Sequence, residues 1–186
     1  MHWWSLVKRA VLSCTNGLAA EIVEDFGLDV AADGRIFVVS PDTNQLKIVP
    51  TSSVSGVLLV NSMQTLSLGW RPTDVTVALG PVPLGGGQPK EVAVVVGTGL
   101  SNGQAMVRIY NDTANLSLIT DVPGLSLGQD PVSVTIREDG AIAYVAAEGQ
   151  STVLLVDVRN GVLLPTTLPA AGLGTLRRVA VQRISP

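Results

Sequence analysis

Gly128-Gln129-Asp130-Pro131-Val132-Ser133-Val134-Thr135-Ile136 is the second use of a pattern met 59 residues earlier, at Gly69-Trp70-Arg71-Pro72-Thr73-Asp74-Val75-Thr76-Val77. Both stretches place proline three residues after glycine, then run into an alternating β-branched segment. That alternation has the period of two that sends one set of side chains to one face of a strand. Proline just before such a strand costs no ladder hydrogen bond. Self-similarity at a fixed spacing marks a fold built of repeated supersecondary units.

The repeat extends outward from this motif. Residues 28–39 match 134–145, residues 45–49 match 152–156, and residues 55–59 match 160–164, at offsets of 106, 107 and 105. Asp33-Gly34, Ser55-Gly56, Asp139-Gly140 and Asn160-Gly161 supply turns whose positive φ glycine and asparagine adopt cheaply. Each unit therefore reads as four short strands: near 28–32, 35–40, 45–49 and 56–60 in the first; 73–79, 91–97, 104–110 and 115–120 in the second; 132–137, 141–147, 151–157 and 162–168 in the third. A Pro- and Gly-rich stretch over residues 81–89 lengthens the second unit. The repeats span 25–68, 69–127 and 128–173 of a single domain, 1–186, with partial repeats at 1–24 and 174–186. In the first partial repeat, residues 5–13, a Thr15-Asn16-Gly17 turn and residues 18–23 resemble strands three and four of a unit. In the second, Val179-Ala180-Val181 lies 45 residues after Val134-Thr135-Ile136, as a lone first strand.

Composition agrees with a sheet-rich fold. Of 186 residues, 46% are hydrophobic and 15% charged, and the mean hydropathy is +0.40, which suits strands covered on both faces. The apolar runs at 92–96 and 153–156 are strand-length, far short of the roughly 18–20 residues a membrane-crossing helix needs. The formal charge is −3 and the basic residues cluster only as Lys8-Arg9 and Arg177-Arg178, which argues against nucleic acid as a partner. A single cysteine, Cys14, allows no intrachain disulfide. A single histidine, His2, excludes a Cys/His zinc site and leaves little for a Ser-His-Asp centre. Lys8-Arg9 before Ala10-Val11-Leu12-Ser13-Cys14 loosely resembles a lipoprotein leader, but the apolar stretch is too short, and an ordinary strand is expected there.

The third unit carries a family resemblance. Gly128 to Pro131 leads into a strand, Asp139-Gly140 turns, Tyr144-Val145-Ala146-Ala147 follows, and residues 151–157 run to Asp157 before Asn160-Gly161. This resembles the YVTN repeat, in which G-x-x-P, a D-G turn, Y-V-A-N and a V-x-V-x-D strand occur in that order. The first two units drift from it, with Phe37-Val38-Val39-Ser40 and Val94-Val95-Val96-Gly97 at the Y-V-A-N position. The resemblance implies an all-β fold of propeller blades, each of four antiparallel strands. It also implies an extracytoplasmic setting (periplasmic, cell-surface or secreted), since such propellers are frequent there. Three blades leave a ring open, whereas propellers usually carry 4–8. Three resolutions stay open: a composite fourth blade made by 177–183 with 5–13 and 18–23, a partial propeller that is part of a larger assembly, or several copies completing one ring.

In a propeller, the loop leading into the innermost strand and the loop between strands two and three line one mouth of the channel. The candidate ligand- or partner-binding residues are therefore Trp70, Arg71, Gln129, Asp130 and Arg177, with Arg71 and Asp130 facing across the mouth and Trp70 as a stacking wall. The turns Asp42-Thr43-Asn44, Ser101-Asn102-Gly103 and Glu148-Gly149-Gln150 lack the ligand spacing of a calcium loop and read as plain turns. Gly85-Gly86-Gly87 lacks the lysine and helix of a phosphate loop. No catalytic residue, metal ligand or cofactor is expected. The function expected is a non-catalytic binding or structural module for a protein or polymer. The alternative is a lactonase-like metal-dependent hydrolase, which would need acidic and amide groups converging on the axis. Arg71, Asp130 and Arg177 form a partly basic set ill-suited to that.

Overall fold

The structure, a computed structural model, describes residues 27–52, 58–81, 87–114, 116, 119–125, 130–148, 150–169 and 179. Among these residues, twelve strands form three four-stranded antiparallel sheets, each a meander in chain order. The first blade comprises β1 (Leu28–Val30), β2 (Ile36–Ser40), β3 (Gln45–Val49) and β4 (Gln64–Ser67). The second comprises β5 (Arg71–Leu79), β6 (Glu91–Thr98), β7 (Ala105–Tyr110) and β8 (Ile119–Asp121). The third comprises β9 (Asp130–Ile136), β10 (Ile142–Glu148), β11 (Thr152–Asp157) and β12 (Val162–Pro169). The fold is all-β and propeller-like. Among the described residues, no helix is long and apolar enough to cross a membrane. The terminal segments 5–13 and 18–23, and all of 177–183 except Val179, lie outside the described residues.

The middle blade shows why its second strand is apolar without interruption. Val92, Val94 and Val96 join a core shared with Val134, Ile136, Ala143 and Val145 of blade three, whereas Ala93 and Val95 join one shared with Phe37, Val39, Leu46 and Ile48 of blade one. Each side chain from Val92 to Val96 thus enters one of two cores. A strand covered on both faces needs no polar alternation, and each buried valine contributes about 1.5–3 kcal/mol.

One strand departs from the sequence reading. The apolar run at residues 56–60 is not the fourth strand of blade one: Leu58 makes only an isolated bridge to Thr51, and a short 3-10 turn follows at Val60–Ser62. The fourth strand is Gln64–Ser67, mostly polar and exposed, pairing with β3 from Gln45↔Ser67 to Ile48↔Gln64. An outermost strand has one sheet neighbour and little to bury, so its hydropathy does not announce it.

Blades meet through their first strands by side-chain-to-backbone hydrogen bonds. Asp29 on β1 accepts from the Val77 N–H at 2.8 Å and from the Thr76 hydroxyl at 3.0 Å, both on β5. Asp74 on β5 accepts from the Val134 N–H on β9 at 2.9 Å, while the Thr73 hydroxyl donates to the Pro131 carbonyl at 2.5 Å. Thr73 and Val132 fall at the same place in the repeat, and each is the extra residue of a register shift: Pro72 and Asp74 pair with Gly97 and Val96, and Pro131 and Ser133 with Ala147 and Ala146. Bulges of this kind re-aim the side chains beside them. Farther out, Arg35 of blade one reaches Glu91 Oε1 at 2.6 Å and the Thr113 hydroxyl at 3.1 Å in blade two. Gly140 (φ 69) turns β9 into β10 directly against Leu79 and Gly80 of blade two, where a Cβ would collide with the Leu79 carbonyl.

Candidate functional site

The first residues of β5 and β9, the last of β2, β6 and β10, and the turns after those three strands gather at one end of the blades. Register fixes this: Arg71 is opposite Thr98, Asp130 is opposite Glu148, and Ser40 is opposite Gln45. Arg71 and Asp130 hold the same position in the repeat and are both exposed. Neither takes part in the ion pairs found among the described residues, and no ion pair within 4.0 Å joins them to each other. Asp130 and Glu148 are cross-strand partners of like charge, both exposed, an arrangement that costs a sheet a little stability unless something positive approaches. The blade-two turn adds Leu100, 62% exposed, beside polar Asn102 and Gln104. The end is therefore polar, of mixed sign, and held on rigid strands.

The turns spend their own polar groups. Asn44, at φ 55, closes the β2–β3 turn, and its carbonyl accepts from the Leu68 N–H. The Thr43 hydroxyl donates to Ser40 Oγ at 2.7 Å. Asn102 Oδ1 accepts from the Gln104 N–H at 3.1 Å. The Thr43 and Asn102 bonds close their own turns, and the Asn44 carbonyl extends the β3–β4 ladder. Among the described residues, no three His, Cys, Asp or Glu side chains gather closely enough to hold a metal ion.

The structure redistributes the residues proposed from sequence. Trp70, expected as a stacking wall, is only 3% exposed and belongs to the core between blades one and two, with Leu46, Leu68, Val95 and Tyr110. Its ring lies 5.8 Å from the Arg108 guanidinium carbon, and its buried Nε1 finds no hydrogen-bond partner among the described residues. Arg108 is itself held by Asp121 through bonds of 2.6 and 2.9 Å, which raise the guanidinium pKa further. A tryptophan next to an exposed arginine reads as surface from sequence, but its indole is large enough to roof an interblade core. Gln129 and Arg177 lie outside the described residues. Glu148, named in the sequence only as part of a turn, stands opposite Asp130 on the same end. Its signal was available, since the residue closing a second strand must face the residue opening the first.

Three four-stranded sheets meeting through their first strands define a propeller-type protein. A solved structure described as the Dos1 propeller is similar to the chain, with a TM-score of 0.56 and 12% sequence identity over 76% of this chain. The likeness covers 36% of that chain, so the protein spans about a third of its length. At this identity the shared property is the fold. No protein-family model matches the chain, and no curated protein matches it either.

Proposed function

We propose that the protein is a non-catalytic binding or structural propeller module that offers the end carrying Arg71, Asp130 and Glu148 to a protein or polymer partner. One observation carries the reading: equivalent positions at the starts of two rigid inner strands display opposite charges, exposed and outside any ion pair among the described residues. Charges held in this way favour orientation and choice of partner over raw affinity, and function grafted onto a propeller scaffold resides in such loops and strand ends. An extracytoplasmic location belongs to the same reading, supported by the resemblance of the third unit to YVTN repeats.

The test is affinity capture with the intact chain, comparing the wild type with Arg71→Glu and Asp130→Lys, and with Asp139→Lys at the opposite end as control. Loss of a captured partner in the first two variants, with retention in the control, is the expected outcome. Capture that ignores the two reversals would overturn the proposal.

A further inference from the structure

The side of blade three that faces away from blade two repeats the features by which blade two receives blade three. Asp74 and Ser133 sit 59 residues apart at one position of the repeat, each immediately after the bulged residue. Asp74 Oδ2 accepts from the Val134 N–H at 2.9 Å; Ser133 Oγ accepts from the Val179 N–H at 3.4 Å. The two donors are also equivalent, each opening a V-x-V/I triplet, Val134-Thr135-Ile136 and Val179-Ala180-Val181. The apolar setting matches as well. On β10, Ala143 and Val145 enter the core shared with blade two, while Ala146 points the other way and is covered by Val132, Val153 and Val179. Ser133 is 2% exposed, so an amide meeting its hydroxyl is being paired in a largely dry place, where backbone donors are rarely left alone. The longer distance suits a neutral hydroxyl, because bonds to an ionised acceptor are the shorter ones.

We propose that the segment through Val179 is the inner strand of a fourth blade, supplied by this same chain, and that Ser133 sets its register as Asp74 sets that of β9. The outer flank of blade three is then a strand-accepting surface, and the ring continues past three blades.

Amide hydrogen exchange of the intact chain, read residue by residue by NMR, tests this. The Val179 amide is expected to exchange far more slowly than an unstructured one, at a rate independent of protein concentration. Ser133→Ala speeds that exchange about fivefold, the loss of one net hydrogen bond, and Ser133→Asp, which installs the acceptor found at Asp74, slows it. A Val179 amide exchanging at the unstructured rate overturns the proposal, as does Ser133→Ala without effect. Protection that falls on dilution would assign the strand to a second copy and overturn it equally. The wild-type rate and its dilution series need no variant, so the test stands even if Ser133→Ala fails to fold.

Discussion

The Asp74 carboxylate on β5 bridges two neighbouring strands, accepting from its own strand at Val75 N–H (2.9 Å) and from the next blade at Val134 N–H (2.9 Å). Asp74 and Val134 are both buried. A buried carboxylate is tolerated only when its oxygens are occupied, and here each oxygen receives a backbone donor. Asp74→Ala strands both donors, and a cost of about 2–4 kcal/mol is expected. Asp74→Asn keeps one acceptor oxygen and falls between. Urea midpoints of the three proteins check the order; an Ala variant as stable as wild type would refute it.

Arg35 joins blades one and two through Glu91 and Thr113 while its plane lies 5.5 Å from the Phe37 ring. Both charged side chains are partly buried, at 24% and 17% exposure, so solvent screens them less than a surface pair. A double-mutant cycle of Arg35→Met and Glu91→Gln is expected to show coupling of about 1–2 kcal/mol. Additive effects would mean that the pair does not hold the blades together.

Gly97 on β6 lies against the Arg71 carbonyl, with Trp70 Cζ3 and Pro72 Cα each 2.7 Å from where a Cβ would stand. Backbone cannot yield there, so Gly97→Ala is expected to cost about 2–3 kcal/mol. Gly103, at φ 61 with nothing near its missing Cβ, should lose only about 1–2 kcal/mol on substitution by alanine, the intrinsic cost of that backbone region. Thermal unfolding of the two variants separates crowding from conformation; equal losses would contradict the packing described.

Tyr110 is buried, and that burial raises its hydroxyl pKa above the ordinary value of 10.0, with the Arg108 charge pulling the other way. An acid held neutral in the folded state stabilises fully below its unfolded pKa, and that contribution is lost as pH climbs from the unfolded toward the folded value. Stability should therefore fall above about pH 10, and Tyr110→Phe should remove part of the fall. Denaturation midpoints across alkaline pH, in a Tyr144→Phe background, decide it: a Tyr110→Phe curve parallel to its parent would count against the assignment.

Much of this architecture is legible in the residues. The 59-residue offset correctly paired Arg71 with Asp130 as the openings of two first strands, and the run at 92–96 correctly read as strand-length. What stayed hidden has a physical reason in each case. The polar strand Gln64–Ser67 buries almost nothing, so no periodicity marks it, while the apolar 56–60 run drew the assignment instead. Trp70 looked available because sequence shows which residues are adjacent in the chain, whereas its burial depends on Leu46 and Tyr110 in different blades. The Asp29 and Asp74 contacts escaped the repeat because the two aspartates occupy different positions within it; the first unit has Gly27 where the second has Asp74, and a side chain at Gly27 would strike Asp74 itself.

Among the described residues, each side-chain bond from a first strand to the next blade runs the same way along the chain: Asp29 waits for residues 76 and 77, Thr73 for 131, and Asp74 for 134. On the ribosome, each of these first-strand side chains is therefore made before its partner exists. For the 60 residues separating Asp74 from Val134, synthesis takes roughly 3–12 s at ordinary elongation rates. During that interval the carboxylate must stay hydrated, and the apolar face of blade two beside it has no cover. Assembly is thus vectorial, each nascent blade completing the one before it, and the half-made protein depends on water at a site the finished one keeps dry.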